Sequence, residues 1–171
     1  MGFGLNAYVR RLLTGEEALV RALQAPLLVW EQAAAEAPDE SLGWMGTLGG
    51  QRALRPRAEE PLVLEVVKAQ GKPNPLSMGV TVGRTANNDL VFPDSSVSRF
   101  HAFLQQDAKG GWRLVDAESR NGTWIGALKV APSAATEIPD GARLKFGDIE
   151  VTFLQPKSFL SYLRRKMGEA A

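Results

Sequence analysis

Apolar residues recur at helical spacing at the two ends of this chain and at strand spacing through its middle. Near the start Leu5, Tyr8, Val9, Leu12 and Leu13 share one face while Arg10 and Arg11 turn away, which predicts an amphipathic helix ending at Gly15. Thr14, followed three residues on by Glu17, reads as a capping box that opens a second helix carrying Leu19, Val20 and Leu23 inward. Pro26 bends or restarts it, and the Ala- and Glu-rich run from Leu27 through Trp30 to Glu36 reads as helical until Pro38. From Asp39 to Pro61 the periodicity disappears while Gly and Pro accumulate, the pattern of a linker. Within it Trp44 and Met45 are expected to dock on the chain's own surface. Arg52, Arg55 and Arg57 beside Glu59 and Glu60 read as a solvated mixed-charge segment.

After Pro61 the rhythm changes to short β-rich runs broken by turn residues. Strands are expected near residues 62–67, 80–82, 90–92, 100–106, 112–116, 123–125, 136–138, 143–146 and 149–154. Punctuation this frequent argues for an antiparallel β-sandwich rather than a parallel sheet with crossover helices. Gly110-Gly111, Asn121-Gly122 and Asp140-Gly141 are the hairpin or loop signals. The end turns helical again: Phe159, Leu160, Leu163 and Met167 share a face, and Arg164, Arg165 and Lys166 lie where a helix C-terminus favours positive charge. The organisation expected is therefore a helical segment 1–38, a linker 39–61, a sandwich 62–156 and a C-terminal helix 157–171.

Composition narrows the chemistry. The 171 residues suit one domain with appendages, and 44% hydrophobic residues, including 7 Phe and 4 Trp, can fill a sizeable core. With no cysteine and a single histidine, thiolate catalysis, disulfides and thiolate or histidine-cluster metal sites are excluded, and no metal or cofactor is expected. No apolar run approaches the ~20 residues a membrane span needs and no leader pattern opens the chain, so a cytoplasmic protein without membrane insertion is expected. Charge divides by region: 6 basic and 8 acidic residues in 1–61, 10 and 10 in 62–156, then 4 and 1 from Lys157 onward. A neutral sandwich exerts no general pull on nucleic acid, so any anion it binds is held by a local cluster.

That cluster is legible in three short pieces, Gly83-Arg84, Ser98-Arg99-Phe100-His101 and Arg120-Asn121-Gly122-Thr123. A guanidinium fork, a hydroxyl and a carboxamide are groups that grip a phosphate. Ser98 and His101 also raise the possibility of a nucleophile and base. Against it, no Gly-x-Ser-x-Gly elbow exists, and a spacing of three residues does not by itself bring the two into bonding reach. A binding module, not an enzyme, is the expectation.

The order Gly83-Arg84, Asn88-Asp89-Leu90, Asp94, Val97-Ser98-Arg99, His101-Ala102 and Asn121-Gly122-Thr123-Trp124 resembles the forkhead-associated (FHA) domain, over roughly Pro61 to Pro156. The resemblance implies a mainly β, antiparallel sandwich of about eleven strands, here with N-terminal helices and a C-terminal helix, whose loops bind phosphothreonine peptides. It implies phosphate contacts for Arg84 and Ser98, a place beside the phosphate for Arg99 and Arg120, and a hold on the peptide main chain for Asn121. Gly83, His101, Gly122 and Thr123 fall on positions that support the site. Where the family often has Asn-Gly after its Gly-Thr pair, this chain has Gly126-Ala127, which leaves the shape of that turn open. The partner implied is a Thr-phosphorylated protein in a serine/threonine kinase pathway. The alternative is a scaffold that binds through its terminal helices independently of phosphate. Those helices have apolar faces too wide for water and are expected to pack on one another or on a sheet face away from the Arg84 loops. Removing residues 1–60 is then expected to leave peptide affinity nearly unchanged while exposing the tail helix and lowering stability or solubility.

Overall fold

The computed structural model describes residues 2–31, 60–71 and 79–169. The expected helical stretch 32–38, most of the linker, Trp44, Met45, Arg52, Arg55, Arg57 and Glu59 lie outside the described residues. In chain order the elements are β1 (Gly2–Gly4), α1 (Leu5–Thr14), α2 (Glu16–Ala22), β2 (Leu27–Trp30), β3 (Leu62–Glu65), β4 (Val80–Gly83) and β5 (Leu90–Val91). They continue as β6 (Ala102–Gln106), β7 (Trp112–Asp116), β8 (Thr123–Ile125), β9 (Leu128–Lys129), β10 (Ala135–Glu137), β11 (Arg143–Phe146), β12 (Ile149–Leu154) and α3 (Pro156–Glu169). Two sheets form, one in the order β1-β3-β2-β12-β11-β8-β9 and one in the order β10-β7-β6-β4-β5. Among the described residues every strand pairing is antiparallel except β4 with β5, and an isolated parallel bridge joins Asp116 to Pro132.

The nine expected strands are present, with ends shifted by a residue or two at most of those that differ. Three further strands, β1, β2 and β9, were not expected, and β2 is a correction of substance. Leu27 to Trp30 is an interior strand of the larger sheet, paired with β3 on one side and β12 on the other, not the start of a helix. Leu28 and Trp30 face the core between the sheets, while Leu27 and Val29 face a second core on the sheet's outer side. A strand covered on both faces shows no polar alternation, so its four apolar residues carry no period from which to tell strand from helix.

The inter-sheet core is built around Leu28, Phe92, Leu104, Leu114, Phe146 and Phe153, each fully buried. The second core joins the three helices to the outer face of the larger sheet, Tyr8, Leu19, Phe159 and Leu163 packing against Leu27, Val29 and Val63. Tyr8 and Phe159 meet edge to face with ring centroids 5.2 Å apart. Two local expectations about the helices fail, and one turn left open is settled. Thr14 caps no helix: its hydroxyl donates back to the Arg11 carbonyl, and Gly15 precedes α2 without a side-chain cap. Leu13 and Val20 point to water, at 69% and 44% exposure, because the stripe that meets the sheet is narrower than their spacing suggested. Gly126-Ala127 makes a two-residue connection that leaves Ile125 and Leu128 in register, so the departure from Asn-Gly does not disturb the turn.

Candidate functional site

Three connections converge at one end of the smaller sheet. Arg84 leaves β4 and its N–H donates to the Ser98 carbonyl at 2.9 Å, while the His101 N–H donates to the Val82 carbonyl at 2.8 Å, tying the segment 98–101 to the strand that delivers Arg84. The third connection, between β7 and β8, comes up to meet them: the Arg120 N–H donates to Ser98 Oγ at 3.0 Å and the Asn121 carboxamide donates to the Ser96 carbonyl at 2.8 Å. Arg84, Ser98, Arg99, Arg120 and Asn121 thereby line one open depression of about 810 Å³. All five expected ligand-contacting residues are brought together.

The supporting residues explain why the loops hold this arrangement. His101 is fully buried, its Nδ1 accepting the Ser98 N–H at 2.9 Å and its Nε2 lying 3.0 Å from the Gly122 carbonyl. An imidazole nitrogen that accepts a main-chain N–H carries no proton, so the ring is the neutral Nε2–H form and donates to Gly122. Burial pushes its pKa below the ordinary histidine value, against the opposing pull of the Gly122 carbonyl and the Asp116 charge. With both ring nitrogens occupied, and Ser98 offering the ring its main-chain N–H rather than its hydroxyl, the pair is not arranged as nucleophile and base.

Gly83 is required by close approach. A Cβ there would lie 2.2 Å from the Arg99 carbonyl oxygen and 2.5 Å from Asn88 Nδ2, in the bond that closes the first loop onto the second. Asn88 belongs to the motif order that carries the resemblance but was given no role from it: 2% exposed, it donates to the carbonyls of Arg99 at 2.7 Å and Thr85 at 2.9 Å. Beneath the third loop sits Asp116, also buried. Burial alone would raise its pKa, but donated bonds from the Ser119 hydroxyl and N–H and the Thr123 hydroxyl hold it below the usual carboxylate range. Thr123 is fully buried in this bond, and Gly122, at φ 91°, turns the chain between Asn121 and β8. The roles of Asn88 and Asp116 are not legible locally, because their partners are main-chain atoms of another loop or lie across a turn. The depression is completed by Thr85, Asn87, Ser95, Ser96, Val97 and Phe100, none of which was given a ligand contact from the sequence.

Its electrostatics are one-sided. None of the three guanidiniums, Arg84, Arg99 or Arg120, is in an ion pair among the described residues, and the nearby Asp94 carboxylate is engaged by the Ser96 N–H and hydroxyl. Unpaired guanidiniums around a hydroxyl that still has its own proton to donate form a receptor for an oxyanion. Among the described residues no group of three potential metal ligands is gathered, and no helix is long and apolar enough to cross a membrane.

A β-sandwich whose connecting loops gather three guanidiniums, a hydroxyl and a carboxamide around one depression has the architecture of an interaction module. Residues 80–147 match the family model described as FHA domain, and the chain carries an FHA domain over that segment. A relative, the ABC transporter ATP-binding/permease protein Rv1747 of Mycobacterium tuberculosis, is 35% identical over 74 residues, which are 43% of this chain and 8% of that protein. The FHA-2 domain of the same transporter, solved by NMR, is 28% identical with a TM-score of 0.41, covering 64% of this chain and 87% of that one. Mycobacterium tuberculosis EmbR, solved with a low affinity phosphopeptide, is 19% identical with a TM-score of 0.47, covering 85% of this chain and 31% of its own. The N-terminal FHA domain of S. cerevisiae Rad53p, solved with a phosphothreonine peptide, is 22% identical with a TM-score of 0.46, covering 57% of this chain and 86% of that one. The chain thus spans under a tenth of the transporter and about a third of the EmbR chain.

Proposed function

We propose that this protein is a phosphothreonine-dependent interaction module that docks a Thr-phosphorylated protein downstream of a serine/threonine kinase. The observation that carries the reading is the convergence of Arg84, Ser98, Arg99, Arg120 and Asn121 on one depression, with no counter-charge on the guanidiniums among the described residues. A phosphothreonine brings about −1.5 to −2 charge and three strong acceptor oxygens, which such a receptor matches. Asn121, steadied by one N–H on the Ser96 carbonyl, keeps a second N–H and its carbonyl oxygen to hold a peptide main chain. The phosphorylated ligands of EmbR and Rad53p agree with this ligand class. The scaffold alternative draws nothing from the helices' inner faces, which are already occupied by the larger sheet.

The test is titration of the full chain with phosphothreonine peptides and their unphosphorylated twins, in wild type and Arg84→Ala. Loss of charge-assisted bonds at Arg84 should cost about 1.5–3 kcal/mol, roughly 10- to 150-fold in affinity. Arg84→Lys should recover only part of it, since a point charge replaces a planar fork. Equal curves for wild type and Arg84→Ala would remove the basis of this reading.

A further inference from the structure

A smaller recess of about 320 Å³ adjoins the phosphate-sized depression and shares with it the wall formed by Arg120 and Asn121. Its other side is Lys129 and the run Val130 to Pro132. The register places Lys145 opposite Trp124 on β11 and β8, and Trp124 opposite Lys129 on β8 and β9, so the three side chains stand in a row on one face. Both ammonium groups lie over the indole, 5.0 Å from its centroid for Lys145 and 5.5 Å for Lys129. Lys129 is also held from the other side. A Cβ on Gly122 would fall 2.9 Å from the Trp124 ring and 3.0 Å from Lys129 Cε, so the lysine stem is pressed between the indole and the loop that carries Asn121.

Beyond the indole, this positive charge has no anionic partner among the described residues. Lys129, Lys145 and Arg120 are in no ion pair among the described residues, and Glu150, which the register sets opposite Lys145, pairs instead with Arg143 at 3.6 Å. Asp116, the one carboxylate in the wall of the recess, is 2% exposed with its oxygens taken by Ser119 and Thr123. A chain that lays a phosphate against Arg120 passes this recess within a few residues, at roughly 3.3 Å per residue of extended backbone.

We propose that the recess is a second anion subsite of the same groove, in which Lys129 and Arg120 engage an acidic group, a carboxylate or a further phosphate, carried by the bound chain beside its phosphothreonine. The inference rests on the phosphothreonine reading and adds a selectivity to it. β9 is also an edge strand, where a lysine blocks pairing with foreign strands; that role alone confers no preference among peptides.

The experiment scans a phosphothreonine peptide with alanine flanks, placing a single Glu, a single phosphoserine or a single Lys at each of four positions on either side, against wild type, Lys129→Ala, Lys129→Arg and Lys129→Glu. Glu at one position should raise affinity about 1.5- to 5-fold, the size of an exposed ion pair, and phosphoserine there should raise it more. The gain should fade at higher salt, vanish in Lys129→Ala, persist in Lys129→Arg and turn into a preference for Lys in Lys129→Glu. A thermal melt of each variant shows that the exposed substitution leaves the fold intact. A flat Glu scan with the parent peptide still bound, or a gain that survives Lys129→Glu, overturns the subsite alone. No binding of the parent peptide to wild type overturns the phosphothreonine reading and the subsite with it.

Discussion

Cutting the chain before Pro61 should unfold the sandwich, going beyond the expected loss of stability or solubility and reversing the expectation that peptide affinity survives the cut. The cut removes β1, the first two helices and β2, and β2 is an interior strand. Leu27 and Leu28 are at 0% exposure, Val29 at 1% and Trp30 at 7%. At about 1.5–3 kcal/mol for each fully buried large apolar side chain, the four contribute roughly 6–12 kcal/mol. A whole domain is stable by only about 5–15 kcal/mol. The cut also leaves the facing ladders of β3 and β12 without partners and exposes the inner face of α3. A milder perturbation tests the same logic in the full chain. Leu28→Ala opens a cavity in the inter-sheet core at a cost of about 2–5 kcal/mol, roughly 4–20 °C in melting temperature at this chain length. Leu13→Ala, at 69% exposure, should stay within about 0.5 kcal/mol of wild type. Circular dichroism melts and the amide spectrum of the 61–171 fragment are the measurements. A dispersed spectrum with a cooperative melt equal to that of the full chain, or a Leu28→Ala no worse than Leu13→Ala, would refute the reasoning.

Other consequences follow from the loops and their supports. Burial holds the pKa of His101 below its ordinary 6.5, so as pH falls the unfolded chain takes up this proton first; stability is complete above that value and declines through the window below it. His101 being the sole histidine, melts from about pH 7 to about pH 5 should slope in wild type and run flatter, from a lower baseline, in His101→Ala; parallel curves would mean the imidazole is not held neutral. Asp89 and Asp116, lowered despite burial by the bonds they accept, should lose their contribution only as pH falls through and below their ordinary 3.8, a separate and more acid step. Gly83→Ala forces a methyl against the Arg99 carbonyl and Asn88, and should cost about 1–3 kcal/mol in stability and weaken phosphopeptide binding together; an unchanged melt and titration would show that the Asn88 bond does not set the loops. Phosphothreonine peptides should bind about fourfold better than phosphoserine twins if the extra methyl is buried, and indistinguishable affinities would mean no such pocket exists.

What the sequence determined by itself was whatever is written in neighbouring residues. The sandwich class came from short alternating runs and turn residues, and the site from three motifs whose members, Arg84, Ser98, Arg99, Arg120 and Asn121, sit in or next to tight turns with characteristic residue types. His101 could be assigned a supporting role through the resemblance its motif carries, though its two bonds, to the Ser98 N–H and the Gly122 carbonyl, are visible only in three dimensions. Tertiary structure alone decided that Leu27 to Trp30 is a strand. Its four apolar residues satisfy a helix or a doubly covered strand equally well, and the choice is made by β3 and β12, the latter more than a hundred residues away in the chain. Structure likewise decided the roles of Asn88 and Asp116, whose value lies in the main-chain and hydroxyl groups that fold around them. It also decided the placing of Lys129, an unremarkable surface lysine in the sequence that cross-strand register and the contact of its stem with Gly122 fix beside the Asn121 loop. Periodicity and turn chemistry act over a few residues and can be read along the chain; burial on a second face and bonds between loops depend on which distant segments arrive, and only the folded chain supplies them.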